Sequence, residues 1–141
     1  MSAGSPPRTF LDSNVLLSTD DRANLAKQKR AFEILAELKQ LRSGVVSLQV
    51  LQEYFTAATR KYGVDDDDAR HKVELFAAFE VVEPRLGDIF AAIDLHRLRR
   101  LSCWDALIVH SAKQAGCSVL LSEDLQHGQV IDGVRIVNPF I

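Results

Sequence analysis

Five short apolar runs punctuate the chain, at 9–12, 44–47, 81–84, 118–122 and 134–137. Between them lie segments of helix length. The segment 25–41 repeats Phe32, Leu35, Ala36 and Leu38 at helical spacing, with Lys and Glu elsewhere. Ser47 stands where an N-cap belongs, ahead of a helix over 48–61 that Gly63 stops. Further helices are predicted over 65–79, 86–100 and 102–116, with Leu86, Ile89, Phe90 and Ile93 sharing one side of the second. Strands that alternate with helices form a parallel sheet covered on both faces. The expected fold is therefore α/β, a three-layer sandwich around a mostly parallel sheet of about five strands. In such sheets, ligands bind beyond the carboxyl ends of the strands.

The chain of 141 residues has the length of one domain, so a single domain over 1–141 is expected, with 1–8 as a loose tail ended by Pro6-Pro7. Its net charge of −2 does not advertise a polyanion partner, although a local basic patch is compatible with it. Two cysteines, Cys103 and Cys117, are too few for a disulfide framework and suit a reducing cytoplasm. No apolar run approaches the length of a membrane span, and the N-terminus lacks an apolar signal core.

Four acidic residues fall at strand carboxyl ends or on the helices that begin there. Asp12 ends the first run, in T-F-L-D-S-N-V-L-L. Glu53 lies in the second turn of the helix after the second run, between Val50 and Ala57 at helical spacing. Asp105 opens the helix that carries Ile108, Val109 and Ala112, and Asp124 follows S-V-L-L-S-E. Convergence of such groups is costly. Two carboxylates about 4 Å apart repel by roughly 4 kcal/mol at an effective dielectric of about 20. A domain's whole stability is only about 5–15 kcal/mol. Either some of the groups are protonated or a cation offsets the repulsion. An all-oxygen set suits Mg²⁺ or Mn²⁺, which can activate water and stabilise charge on a phosphoryl oxygen.

Taken singly, each acid also has a structural reading. Asp12, Ser13 or Asn14 can cap the following helix, Ser102 to Asp105 has the form of a capping box, and Ser122-Glu123-Asp124 can be a turn. The four histidines, His71, His96, His110 and His127, are scattered and form no acid–base pair. Of these, His110 lies nearest to Asp105, and a satisfied helix-surface role is expected of it. The run Asp65 to Asp68 reads as carboxylates stabilising a helix N-terminus. The stretch H-R-L-R-R over 96–100 is the best basic patch, so Arg97, Arg99 and Arg100, with Lys113 and with Arg60 and Lys61 in support, are candidates to contact phosphates. Trp104 and Tyr54 could stack on an unpaired base, but core packing is the expected role of both.

In this order and context the motifs resemble those of the PIN-domain family, most of all the VapC-type ribonuclease toxins. The likeness runs from about Thr9 to Val137. It rests on F-L-D-S-N-V-L-L (Asp12, Asn14), S-L-Q-V-L-Q-E-Y-F (Glu53), W-D-A-L-I-V-H (Asp105) and Ser122-Glu123-Asp124, where serine replaces the family's threonine and keeps the hydroxyl. The resemblance implies a PIN-like fold and a Mg²⁺- or Mn²⁺-dependent endoribonuclease, the toxin of a type II toxin–antitoxin pair. It implies that Asp12, Glu53, Asp105 and Asp124 hold the metal and that Asn14 and Ser122 orient them by hydrogen bonds. It further implies a homodimer, a cognate antitoxin and an RNA substrate, with structured RNA such as tRNA as the family's expectation.

The alternative is a PIN-like module that binds RNA or protein without catalysis. Degenerate copies normally lose acids, and here all four positions are filled. A haloacid-dehalogenase-like phosphatase needs D-x-D where this chain has Asp12-Ser13-Asn14. A receiver domain needs a phosphorylatable Asp and a Lys in the regions of Pro84 and Asn138.

Overall fold

The computed structural model describes residues 6–141. In chain order the elements are β1 (Thr9–Leu11), α1 (Ser13–Leu17), a 3-10 turn (Ser18–Asp20), α2 (Leu25–Leu41), β2 (Gly44–Ser47), α3 (Leu48–Lys61) and α4 (Asp66–Phe76), followed by β3 (Glu80–Val82), α5 (Leu86–Arg99), α6 (Cys103–Gln114), β4 (Val119–Leu121), β5 (Val130–Ile131) and β6 (Val134–Val137). The sheet has the order β3-β2-β1-β4-β6-β5. All its pairings are parallel except β5 with β6. It is the mostly parallel, helix-flanked α/β sheet expected, with six strands where about five were predicted. The additional strand, β5, forms a tight hairpin with β6 through Asp132 and Gly133, at φ of 50° and 83°. An Asp-Gly pair flanked by apolar residues is the usual signal for such a turn.

The interior strands explain their own sequences. Every residue of β1 and β2 is buried, as a sheet covered on both faces requires. Phe10, Leu11, Val45, Val46, Leu120 and Ile136 lie at its centre. Two helices begin at the expected caps, Ser47 accepting from Val50 N–H and Ser102 from Asp105 N–H, and Asn24 caps α2 by accepting from Lys27 N–H.

Three expectations change. The helix predicted over 65–79 is shorter: Asp65 caps it and it ends at Phe76, the following residues turning into β3. The apolar side of α5 faces outward, with Leu86 69 % and Phe90 58 % exposed, because α5 packs on α6 through Ala92 and Leu95 instead. Of the predicted loose tail 1–8, residues 1–5 lie outside the described residues. Arg8 is tied down, donating from Nε to Ala115 O at 2.8 Å and from Nη2 to Glu80 Oε2 at 2.7 Å.

Close approach explains Gly44. A Cβ built there would lie 2.6 Å from Phe79 Cδ1 and 2.7 Å from Cε1, with Leu38 Cβ at 3.3 Å on another side. Gly44→Ala must displace the Phe79 ring from the edge of the core. The expected cost is about 1–3 kcal/mol, read as a lower denaturant midpoint with an unchanged m-value. A variant as stable as the parent would show that the ring yields freely.

Candidate active site

Register alone brings the first two groups of the site together. Thr9, Phe10 and Leu11 of β1 pair with Val119, Leu120 and Leu121 of β4. One step further, Asp12 meets Ser122, whose hydroxyl donates to Asp12 Oδ2 at 2.8 Å. From β1 the sheet is built outward in both directions, through β2 on one side and β4 on the other. The two groups thus occupy the switch point at which open α/β sheets bind ligands.

Asp12 also caps α1, accepting from Ser13 N–H at 2.7 Å, and is 5 % exposed. Capping and site membership coincide in one residue. Asn14, at the start of α1, bridges to the loop after β4. Its Nδ2 lies 3.1 Å from Asp124 Oδ2, 3.2 Å from Ser122 Oγ and 3.4 Å from Asp12 Oδ2. In return its Oδ1 accepts from Glu123 N–H at 3.2 Å. The positive pole of an amide therefore stands among the oxygens of Asp12, Ser122 and Asp124.

Glu53 and Asp105 come from the adjoining helices. Glu53 is half-buried on α3, one helical turn after Gln49. Asp105 sits in the first turn of α6, where the helix dipole favours a negative charge. The electrostatics link all four carboxylates. Burial pushes the Asp12 carboxyl up to about 6, against the hydrogen bonds from Ser122 and Ser13, and the charges of Glu53 and Asp124 add to the rise. Glu53 is also raised, by burial first and then by Asp105 and Asp124, while the side chains of Gln49 and Ser13 oppose the shift. Gln49 and Ser13 were not anticipated as members of this environment. Gln49 was open to detection, because it precedes Glu53 by four residues and so shares its helix face.

The remaining predicted residues are dispersed. Arg97, Arg99 and Arg100 are exposed at the end of α5, with Arg100 terminating the helix at a φ of 56°. Lys113 lies eight residues beyond Asp105 on α6, about 12 Å along the axis at ~1.5 Å per residue, and faces Asp132 at 3.9 Å. Across the α5–α6 packing it lines one cavity together with Arg99, beside Asp94, His110 and Asp132. His110 donates from Nε2 to Asp88 Oδ1 at 2.8 Å, a satisfied role outside the carboxylate group. Asp65 caps α4 and Asp66, Asp67 and Asp68 form its first turn. Tyr54 is fully buried, as expected, and its hydroxyl donates to Asp20 Oδ2 at 2.7 Å. Trp104, by contrast, is 66 % exposed in the first turn of α6.

In kind, the donors fit a hard divalent cation: they are carboxylates whose mutual repulsion is visible at Asp12 and Glu53, with no soft ligand among them. Among the described residues, no three His, Cys, Asp or Glu groups are gathered closely enough to hold one ion, and the Asn14 amide lies between Asp12 and Asp124.

The sequence profile of the PIN domain matches residues 9–131. Among curated proteins no sequence matches. Similar solved structures include VapC20 of Mycobacterium tuberculosis, described as a sarcin–ricin-loop-cleaving toxin, with a TM-score of 0.65 and 19 % identity, covering 82 % of this chain and 91 % of that one. A toxin–antitoxin complex from Klebsiella pneumoniae has a TM-score of 0.69 and 16 % identity, covering 93 % and 97 %. A DNA-bound VapBC from Salmonella typhimurium has a TM-score of 0.67 and 18 % identity, covering 93 % and 97 %. At such identities the likeness is one of fold.

Proposed function

The chain belongs to the PIN-domain family, and from that premise we propose that it is a divalent-metal-dependent endoribonuclease, the toxin of a type II toxin–antitoxin pair. One observation carries the reading. The acids of four separate sequence motifs lie within electrostatic reach of one another at the switch point of the sheet, where Asp12 is buried and pushed up to about 6. A fold gains nothing from that arrangement unless something positive enters it.

In this reading Asp12, Glu53, Asp105 and Asp124 hold Mg²⁺ or Mn²⁺. The metal supplies activation of water and stabilisation of charge on the phosphoryl and departing oxygens. Ser122 and the Ser13 N–H fix the Asp12 carboxylate, and Asn14 fixes Asp124 against the end of β4. Such preorganisation saves the acids from reorienting during the reaction. Residues 1–141 act as one PIN domain. A homodimer and a cognate antitoxin are part of this reading, and the toxin–antitoxin and VapBC complexes among the structural neighbours support the antitoxin. Among the described residues no helix is long and apolar enough to cross a membrane. The exposed free thiol of Cys103 suits a reducing cytoplasm.

The test is cleavage of total cellular RNA by purified protein in Mg²⁺ or Mn²⁺ against EDTA, with the new ends sequenced. Discrete metal-dependent cuts are expected, and structured RNA such as tRNA is the first substrate class to inspect. The second reading, a non-catalytic binding module, is favoured by the absence of three closely gathered ligands among the described residues. It predicts no cutting and no heat on calorimetric titration with Mn²⁺.

The cations at the end of α5 make a separate prediction. Arg99 and Arg100 are exposed, and both precede the helix that opens with Asp105. Replacing both with Ala should weaken RNA binding and lower the slope of log K against log salt by about 1–2, at roughly 0.7 for each single-strand phosphate no longer neutralised. An unchanged slope removes Arg99 and Arg100 from the RNA path.

A further inference from the structure

Next to the carboxylates lies a cavity of about 500 Å³ whose lining combines Ser13 and Glu53 with Gln49, Ala57, Arg60 and Trp104. Most of these residues form one stripe of α3: Gln49, Glu53, Ala57 and Arg60 recur at helical spacing. Trp104 closes the opposite side from the first turn of α6, immediately before Asp105. The cavity therefore shares a wall with the proposed catalytic site at Glu53, carries a cation two turns away, and has a large exposed indole at its rim.

Trp104 is costly to leave in water. The residue is 66 % exposed, yet its backbone is held, because its carbonyl accepts from Gln49 Nε2 at 3.2 Å. That bond also fixes the orientation of the Gln49 amide, since the other orientation would set two oxygens against each other. The consequence is that Gln49 Oε1 is buried with no hydrogen-bond donor. An unsatisfied buried acceptor is costly and calls for an explanation. A rigid aromatic platform, an unfilled acceptor and a nearby guanidinium match the three parts of a nucleotide: base face, exocyclic amine and phosphate.

We propose that this cavity receives an unpaired base of the RNA strand next to the bond cut at the carboxylates, with Trp104 stacked on the base, Gln49 accepting from its amine and Arg60 holding the backbone phosphate. The inference rests on the nuclease reading of the adjoining site. It specifies the substrate class as RNA whose cleaved segment is single-stranded, because a base held in a duplex reaches the indole only at the cost of unstacking and unpairing.

Trp104 is the sole tryptophan of the chain, so its emission reports on this cavity alone. The protein is titrated in EDTA, where cleavage is suppressed, with a short unstructured oligoribonucleotide and with a blunt duplex of the same sequence. Quenching by the single strand and not by the duplex is expected. Affinity for the single strand, followed by anisotropy of labelled RNA, is expected to fall about 10-fold in Trp104→Ala and to be largely retained in Trp104→Phe, which preserves a stacking face. Gln49→Leu should leave the loss for amine-free uracil runs small and enlarge it for adenine or cytosine runs. Equal affinity of parent and Trp104→Ala overturns the proposal and leaves Trp104 to a protein surface. Quenching without any metal-dependent cleavage keeps the subsite and overturns the nuclease reading, whereas cleavage without quenching does the reverse.

Discussion

Asp12→Asn is expected to lower RNA cleavage by about 10³-fold, some 4 kcal/mol of barrier, while making the metal-free protein more stable at pH 8. The two effects share one cause. The Asp12 carboxyl is 5 % exposed and raised to about 6 by burial, with Glu53 and Asp124 adding to the rise. In an unfolded chain it titrates near 4. A group raised in the folded state contributes its full stability below the unfolded value and loses it as pH rises through the folded one. For Asp12 that window runs from about pH 4 to above 6, and a shift of about two units corresponds to about 3 kcal/mol. Asparagine is neutral throughout and keeps the shape. It must reorient against Ser122 and Asn14, so a gain of about 1–2 kcal/mol at pH 8 is expected, turning into a loss of about 1 kcal/mol near pH 4, where the parent's carboxyl is protonated in the fold. Melting curves of parent and variant across that range, without metal, isolate the contribution of this one side chain. Mn²⁺ should raise the parent's melting temperature more than the variant's, because only the parent presents the full set of charges. A variant that cleaves at the parent's rate removes Asp12 from the reaction. One that is less stable at pH 8 shows that its hydrogen bonds outweigh its charge.

The scaffold that places these acids was largely legible because it depends on local signals. The ends of α2, β2 and α3 follow from Ser47 as a cap, from Gly44 and from unbroken apolar runs, all short-range features of the chain. The positions of Asp12 and Asp124 after β1 and β4, and of Glu53 on the helix after β2, followed from the βα alternation, whereas Asp105 opens a helix that follows another helix. What escaped was set by contacts between distant segments. The outward face of α5 could not be foreseen, since its apolar residues sit at good helical spacing and only the packing of Ala92 and Leu95 against α6 decides which side is covered. The exposure of Trp104 escaped for a similar reason: a large indole is mostly buried on average, and only tertiary packing decides whether it is covered. The Gln49 link to Trp104 joins residues 55 apart in sequence, and nothing local announces it.

The largest stability loss is expected from a residue that touches none of the acids. Lys72 on α4 reaches Asp20 Oδ1 at 2.7 Å and also donates to the Thr19 hydroxyl, while Tyr54 donates to Asp20 Oδ2 at 2.7 Å. The Lys72 and Asp20 side chains are only 20 % and 11 % exposed, so this pair is mostly desolvated. The Lys72 ammonium also lies 5.7 Å from the Tyr54 ring and 5.8 Å from that of Phe76. Lys72→Met keeps the apolar stem and deletes the charge. Asp20 is then left as a mostly buried carboxylate with a single donor, and removing one partner of such a pair costs far more than the pair contributes. A loss of about 3 kcal/mol is expected, or roughly 6–12 °C in a chain of this size. Asp20→Asn in the Lys72→Met background should recover most of it, because the stranded charge goes and Tyr54 keeps an acceptor. A double variant no better than Lys72→Met would place the loss in packing against the Tyr54 and Phe76 rings instead. The cluster ties the turn after α1 to α3 and α4, and Glu53 is the neighbour of Tyr54 on α3. Cleavage by Lys72→Met should therefore fall at temperatures where its fold is still largely intact, through looser placement of Glu53, and return with Asp20→Asn.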